Sequence, residues 1–305
     1  MSGNICDEMM DILMMRRPWK EEHRLHSVMD AEYPDGKQFC GVLTHDVDEI
    51  KWSWRRKMLM TLRHPSTLSQ KKNHYWGFED IMDLEAGLNV RSAFYFITSC
   101  RSKFDGPYEI EDVGHIIKEL DKGGWEIGLH GSYLSFNNYG YLKEEKRILE
   151  SIVDHPVAGV RQHYTNFEPE TTWRIQERCG FEYDSSVGYA EKEGFKVGYC
   201  YPYRPRGMKI YELPLTIMDC ALFRKSSRNF DYDKALNVSK KVIDIVKEAS
   251  GVAVLDWHNN SWDRYSFPGW SELYAELVGY MLDCDGYIAR AQDLIEWWVE
   301  HDKVG

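Results

Sequence analysis

Gly41-Val42-Leu43-Thr44-His45-Asp46-Val47-Asp48 opens as an apolar run and closes on two carboxylates. A buried strand that ends on polar, metal-capable side chains is a unit from which hydrolytic sites are built in α/β proteins. The pattern recurs along the chain. Trp125-Glu126-Ile127-Gly128-Leu129 leads to His130, and Ala158-Gly159-Val160 leads to Arg161-Gln162-His163-Tyr164. Val252-Ala253-Val254-Leu255 leads through Asp256-Trp257 to His258. Further strands are expected at 39–43, 91–98, 181–183, 210–213 and 286–289. Segments with helical spacing lie at 112–122, 142–153, 169–179, 232–249, 271–282 and 292–300. Strands alternating with helices, and continuously apolar, imply a mainly parallel sheet or barrel with its chemistry at the carboxyl ends of the strands.

Composition narrows the class. Of 305 residues, 43% are hydrophobic and 14% aromatic, enough for a core and too many for a disordered chain. Residues 1–37 read as an N-terminal helical extension closed by the turn signal Tyr33-Pro34-Asp35-Gly36, and 38–305 as one catalytic domain. No apolar run is long enough to span a membrane, and the acidic start lacks the features of a signal peptide. Seven cysteines without a C-x-x-C pair point to reduced thiols and a cytoplasmic location. The net charge of −11 disfavours nucleic acid as a partner. Lys51 to His74 nevertheless holds Lys51, Arg55, Arg56, Lys57, Arg63, Lys71 and Lys72 with no acid. Two readings stand for this run: a solvated helix face, or an anion-facing flap near the rim that carries Asp48.

Asp46 and Asp48 are two apart, so on an extended segment they share a side. Two carboxylates there repel unless a cation or a shared proton intervenes. One division of labour has Asp48 bind a metal while Asp46 stays free as a base. His130 at its strand end is either a hydrogen-bonding residue or a ligand. Arg161 can hold a catalytic carboxylate ionised, and His163 can complete a two-His, one-carboxylate set with Asp48 and His130. His258 is then free to act as a general acid. Asp256 is read as structural, on the opposite strand face.

These segments carry a family resemblance. Thr44-His45-Asp46-Val47-Asp48 resembles the first motif, T-F-D-D-G, of the polysaccharide deacetylases (NodB-homology, carbohydrate esterase family four). Glu126-Ile127-Gly128-Leu129-His130 is similar to their E-I-G-N-H segment, Arg161 to the Arg of R-x-P-x-G, and His258 to the His of the last motif. Arg91 to Phe96 resembles the second strand of that fold, and Gly180 to Ser186 a stretch that follows the Arg motif in some members. The resemblance spans about residues 39–295, with the motifs in the family's order. It implies a distorted (β/α) barrel of about seven strands and metal-assisted removal of an N- or O-acetyl group from a sugar. It also implies roles: Asp46 the base, Asp48 and His130 metal ligands, Arg161 the tether of the base, and His258 the acid. The Tyr164 backbone N–H would help bind the oxyanion. A divalent metal, zinc first, is the implied cofactor.

The chain departs from that pattern. Leu134 stands where the second motif normally supplies another His, and His163 stands where the third has Pro. His163 is therefore expected to replace the imidazole missing at 134, with Tyr133 or Ser135 through water as the fallback. The fourth position of the first motif is Val47, less polar than the usual Asp, with Asp48 keeping the ligand role. Trp52, Trp54, Trp76, Tyr133, Tyr139, Tyr141 and Trp262 fall in strand-end loops and could stack on sugar rings. Trp52, Tyr133, Arg55 and Arg56 are the expected substrate contacts. A cytoplasmic location and the basic run suggest a nucleotide- or lipid-diphosphate-linked glycan precursor. Two rivals remain open: a metal amidohydrolase acting on a non-sugar amide, and a non-catalytic glycan-binding module.

Overall fold

The computed structural model describes residues 32–69 and 73–301. Most of the expected N-terminal extension, and Lys71 and Lys72, lie outside the described residues. Pro34–Gly36 forms a single 3-10 turn, with Tyr33 bridging to Lys37 across it, as the turn signal anticipates.

Among the described residues nine strands form the sheet: β1 (Phe39–Val47), β2 (Ala93–Phe96), β3 (Glu126–Gly131), β4 (Gly159–Gln162), β5 (Tyr183–Asp184), β6 (Tyr211–Glu212), β7 (Ile217–Met218), β8 (Val252–Asp256) and β9 (Gly286–Ala289). The helices are α1 (Trp54–Arg63), α2 (Phe78–Gly87), α3 (Ile110–Lys122), α4 (Tyr139–Val153), α5 (Thr171–Arg178), α6 (Asp219–Phe223), α7 (Tyr232–Glu248), α8 (Trp270–Asp283) and α9 (Ala291–His301). The sheet order is β6-β5-β4-β3-β2-β1-β8-β7, with β9 pairing β1. Every pair is parallel. β1 serves three neighbours. Along one edge it meets β8, and along the other it meets β9 over Phe39–Val42 and β2 over Thr44–Val47. The outermost strands β6 and β7 are consecutive in sequence, separated only by 213–216, so the sheet must curl to bring its two ends together. The result is the distorted (β/α) barrel that the family resemblance implies, with nine strands among the described residues where about seven were expected. The strand not anticipated is β7, two residues without a period to read.

Alternation along the strands divides the core. Cys40, Val42, Ala93, Tyr95 and Val254 face the barrel interior, where they pack with Tyr183, Tyr211 and Leu213. Phe39, Leu43, Ala253, Leu255 and Trp257 face outward against α7 and α8. Phe94, Phe96, Ile127, Leu129 and Val160 face outward against α3 and α4. On β1 the even positions point inward, so Thr44, Asp46 and Asp48 line the interior at the strand's carboxyl end. His45 points the other way, to a fully buried Glu85 at 3.0 Å and to the Trp257 carbonyl at 2.6 Å. Gly128 is a required glycine: a Cβ built there would lie 2.4 Å from the Tyr95 ring inside the barrel.

Candidate metal centre

Three side chains converge where β1, β3 and β4 end. The Nε2 of His130 lies 3.2 Å from Asp48 Oδ1, and the Nε2 of His163 lies 3.4 Å from Asp48 Oδ2. The three could hold one metal ion, since a ligand atom of each lies within 4.8 Å of the others. The hydrogen-bond pattern suits that use. His130 donates through Nδ1 to the Arg161 carbonyl at 3.0 Å, which turns its Nε2 toward Asp48. His163 turns its Nδ1 toward Asp105, 3.7 Å away. Asp105 is itself fixed by the N–H groups of Arg101, Ser102 and Tyr133 at 2.8, 2.7 and 2.6 Å. The buried Asp48 Oδ1 has no hydrogen-bond partner, a lone pair that a cation would satisfy. An oxygen and two imidazole nitrogens form a donor set of the kind zinc takes in catalytic sites.

The other positions considered for a third ligand make other contacts. Leu134 is exposed at the surface. The Ser135 hydroxyl is engaged by the Ser132 carbonyl at 2.9 Å and Gln162 Oε1 at 3.2 Å. The Tyr133 ring packs against Phe104 and Tyr164.

Asp46 sits beside this cluster, with its Oδ2 3.6 Å from His130 Nε2. Its Oδ1 accepts from Arg161 Nη1 at 3.0 Å. Arg161 is fully buried, and its donors are shared among Thr44 Oγ1, the Ser185 carbonyl and the Ser185 hydroxyl at 2.8, 2.8 and 2.9 Å. The guanidinium also lies 4.7 Å from the centre of the Tyr95 ring. Asp256 corrects an expectation. Its Oδ1 is 3.2 Å from Arg161 Nη1 and accepts from the Asp46 N–H at 3.3 Å, so it belongs to the site and not to the opposite face. Positions 256 and 258 are two apart and therefore share a side of the strand.

The two acids beside Arg161 are shifted in opposite directions. Burial works to raise the Asp46 carboxyl, but the positive fields of His130, Arg161 and His258 outweigh it and bring it below its ordinary value. Burial and the Asp46 charge together push Asp256 well above its own. Asp46 is thus drawn toward its charged form and Asp256 toward its neutral one. Asp48 is drawn well below the usual range against its burial, chiefly by His163 and His258.

His258 closes the group from β8, its Nε2 3.4 Å from Asp48 Oδ2. Its Nδ1 donates to Asp219 Oδ1 at 2.8 Å, and its backbone N–H donates to Asp219 Oδ2 at 2.9 Å. Asp219 also accepts from the Ser261 hydroxyl. Burial favours a neutral His258, yet Asp219 and Asp48 raise it well above its ordinary value. His163 behaves alike: against burial, Asp48 and Asp105 lift it to about 9. A cation seated among these groups would displace the His163 proton.

Tyr164 and Thr165 follow His163 with φ of 60° and 49°, two consecutive non-glycine residues in the left-handed region. Such strain costs roughly 1–3 kcal/mol per residue and gathers at functional sites. Of the expected substrate contacts, Tyr133 lies in the aromatic group beside His163. Trp52 ties its loop down, donating from Nε1 to Asp263 at 2.8 Å and stacking on His74. Arg56 turns toward Tyr75 and Phe267, whereas Arg55 lies over Trp54 at the surface. Trp262 packs inward on His45 and Tyr274.

Asp105 and Asp219 were not singled out from sequence. Asp219 follows the unforeseen β7, and an acid at a strand's carboxyl end is the signal that would have found it. Asp105 lies in the irregular segment between β2 and α3, where no periodicity marks it.

No protein-family model matches the chain, and no curated protein sequence matches it. Solved structures do. A Mycobacterium smegmatis protein assigned to the polysaccharide deacetylases is 18% identical, with a TM-score of 0.62 over 90% of this chain and 94% of that one. The PuuE allantoinase is 14% identical, with a TM-score of 0.64 over 93% of this chain and 99% of that one. The curled parallel sheet and its helices are therefore the fold of the polysaccharide deacetylases, the NodB-homology barrel.

Proposed function

We propose that the protein is a metal-dependent hydrolase that removes an acetyl group, by preference from nitrogen, from a sugar or glycan precursor in surface-polysaccharide biosynthesis. One observation carries the reading. The Nε2 atoms of His130, His163 and His258 all face Asp48, at 3.2, 3.4 and 3.4 Å, while Asp46 and His258 are each tethered by a buried partner of opposite charge, Arg161 and Asp219. A divalent ion held by Asp48, His130 and His163 would polarise the acetyl carbonyl and acidify water. Asp46, oriented by Arg161, takes the proton of the attacking water. The Tyr164 backbone N–H helps hold the oxyanion, an interaction type worth about 3 kcal/mol in acyl transfer. His258, kept charged by Asp219, gives its proton to the leaving amine. Tyr133 and Tyr164 offer a ring face for the sugar beside His163. The proposed substrate carries a nucleotide- or lipid-linked diphosphate that meets the in-turned Arg56, and Arg56→Gln should raise KM for it while leaving a neutral acetylated sugar unaffected. The compartment proposed is the cytoplasm, in keeping with the unpaired thiols of Cys40, Cys100, Cys179, Cys200, Cys220 and Cys284.

The test is bound-metal analysis joined to acetate release from a panel of N- and O-acetyl sugars. Chelation should abolish release and zinc should restore it. A protein with no bound metal and no acetate release would instead be a glycan-binding module. A second reading is favoured by the fold shared with an allantoinase over 93% of the chain, namely hydrolysis of a non-sugar amide at the same centre. It would be recognised by turnover of cyclic amides with every acetyl sugar inert.

A further inference from the structure

Helix α1 turns its apolar side away from the protein. Trp54, Met58, Leu59 and Leu62 are 70, 56, 40 and 74% exposed, four of the nine large apolar side chains exposed among the described residues. Met60 is the only buried residue of the helix. At 3.6 residues per turn, 54, 58 and 62 form one line along the helix, and 55 and 59 form the line beside it. The outward strip is therefore continuous and holds Arg55 within it. An amphipathic helix normally buries its apolar side, and here the apolar side is the solvent side.

Charge identifies what covers the strip. Residues 51–74 contain seven Lys or Arg and no acid, in a chain of net charge −11. Lys51 reaches Asp112 at 3.6 Å, but that pair is exposed at both ends. Arg55 lies over the Trp54 ring, its centre 5.3 Å away. A second copy of the chain is a poor occupant, since a two-fold contact would set one basic strip against another. An apolar strip that begins with Trp and is interleaved with cations has the composition of a helix lying in a membrane interface.

We propose that α1 seats the protein on an anionic lipid surface. Trp54, Met58, Leu59 and Leu62 enter the boundary between headgroups and acyl chains, and Arg55, Lys57 and Arg63 meet lipid phosphate. The helix starts six residues after Asp48, so docking would bring the rim of the metal centre to the surface. Only the further step, that a lipid-diphosphate-linked substrate is met there, rests on the deacetylase reading.

The test is cosedimentation of the full-length protein with phosphatidylcholine vesicles, with and without phosphatidylglycerol, at low and high salt. Binding should require phosphatidylglycerol and weaken with salt. Leu62→Asp should weaken it at least about tenfold, and Arg55→Gln about fivefold. Bound metal and melting temperature should be unchanged in both variants, because both side chains are exposed. Absence of binding to the anionic vesicles, or binding indifferent to Leu62→Asp, overturns the proposal. So does a large drop in melting temperature on Leu62→Asp, which would mean that the chain's own residues cover the strip. Self-association abolished by Leu62→Asp would give the face to a second copy. Acetate release is a separate readout, so either reading can fail alone.

Discussion

His163 occupies a position where the family pattern has proline, and two carboxylates face its ring nitrogens. Asp48 lies 3.4 Å from its Nε2 and Asp105 3.7 Å from its Nδ1. His163→Ala should leave Asp48 and His130 as a two-donor remnant and abolish metal retention, read by elemental analysis of the purified variant. Normal metal content would return the third position to another group. Asp105→Asn is the gentler probe, since it keeps size and removes charge. Its expected cost is roughly 10–100-fold in metal affinity, measured by competition with a chromogenic chelator. The spacing Arg161-Gln162-His163 made His163 readable, because two residues apart on a strand is a local relation. Asp105 stands fifty-eight residues from His163, and only folding brings them together.

At the scale of elements, the strands were legible because apolar runs and alternation are local properties of the backbone. β9 begins and ends where the sequence places it, and the other strands differ by a few residues at their ends. β1 runs on to Val47, past its apolar run, because Thr44 to Val47 find ladder partners in β2. β7 escaped because two residues carry no period. Gly128 shows an element constrained by its neighbour, since the Tyr95 ring fills the space where a side chain would start. Gly128→Ala should destabilise the protein by about 1–3 kcal/mol through overpacking, read from denaturant unfolding. It should also disturb His130, two residues on along the same face. A variant as stable as the parent would mean that Tyr95 yields freely.

Across the whole molecule, a buried polar line descends from the site through the barrel. Arg161 lies over Tyr95, the Tyr95 and Tyr183 hydroxyls are 2.9 Å apart, and Tyr183 donates to Glu126. The Gln292 N–H, at the start of α9, closes it on Glu126 at 2.8 Å. Burial raises the Glu126 carboxyl from 4.5 to about 7, against the hydrogen bonds that favour its charge. Between those values the folded protein keeps a proton that the unfolded chain has released, so stability falls as pH rises through that window. The loss amounts to about 3 kcal/mol. Glu126→Gln cannot titrate, so the stability difference between parent and variant should change by about that amount from pH 4.5 to 8. A difference independent of pH would mean that Glu126 titrates normally. The amino-acid order alone determined all the strands but β7, which ends carry Asp, His and Arg, and hence that a parallel sheet or barrel gathers them on one rim. Those are consequences of periodicity and of the direction shared by parallel strands. Only the tertiary structure decided that Asp105, Asp219 and Asp256 stand behind His163, His258 and Arg161. Asp219 and Asp256 sit at strand ends, but which side chain a carboxylate meets across a barrel depends on proximity alone and leaves no local spacing to read.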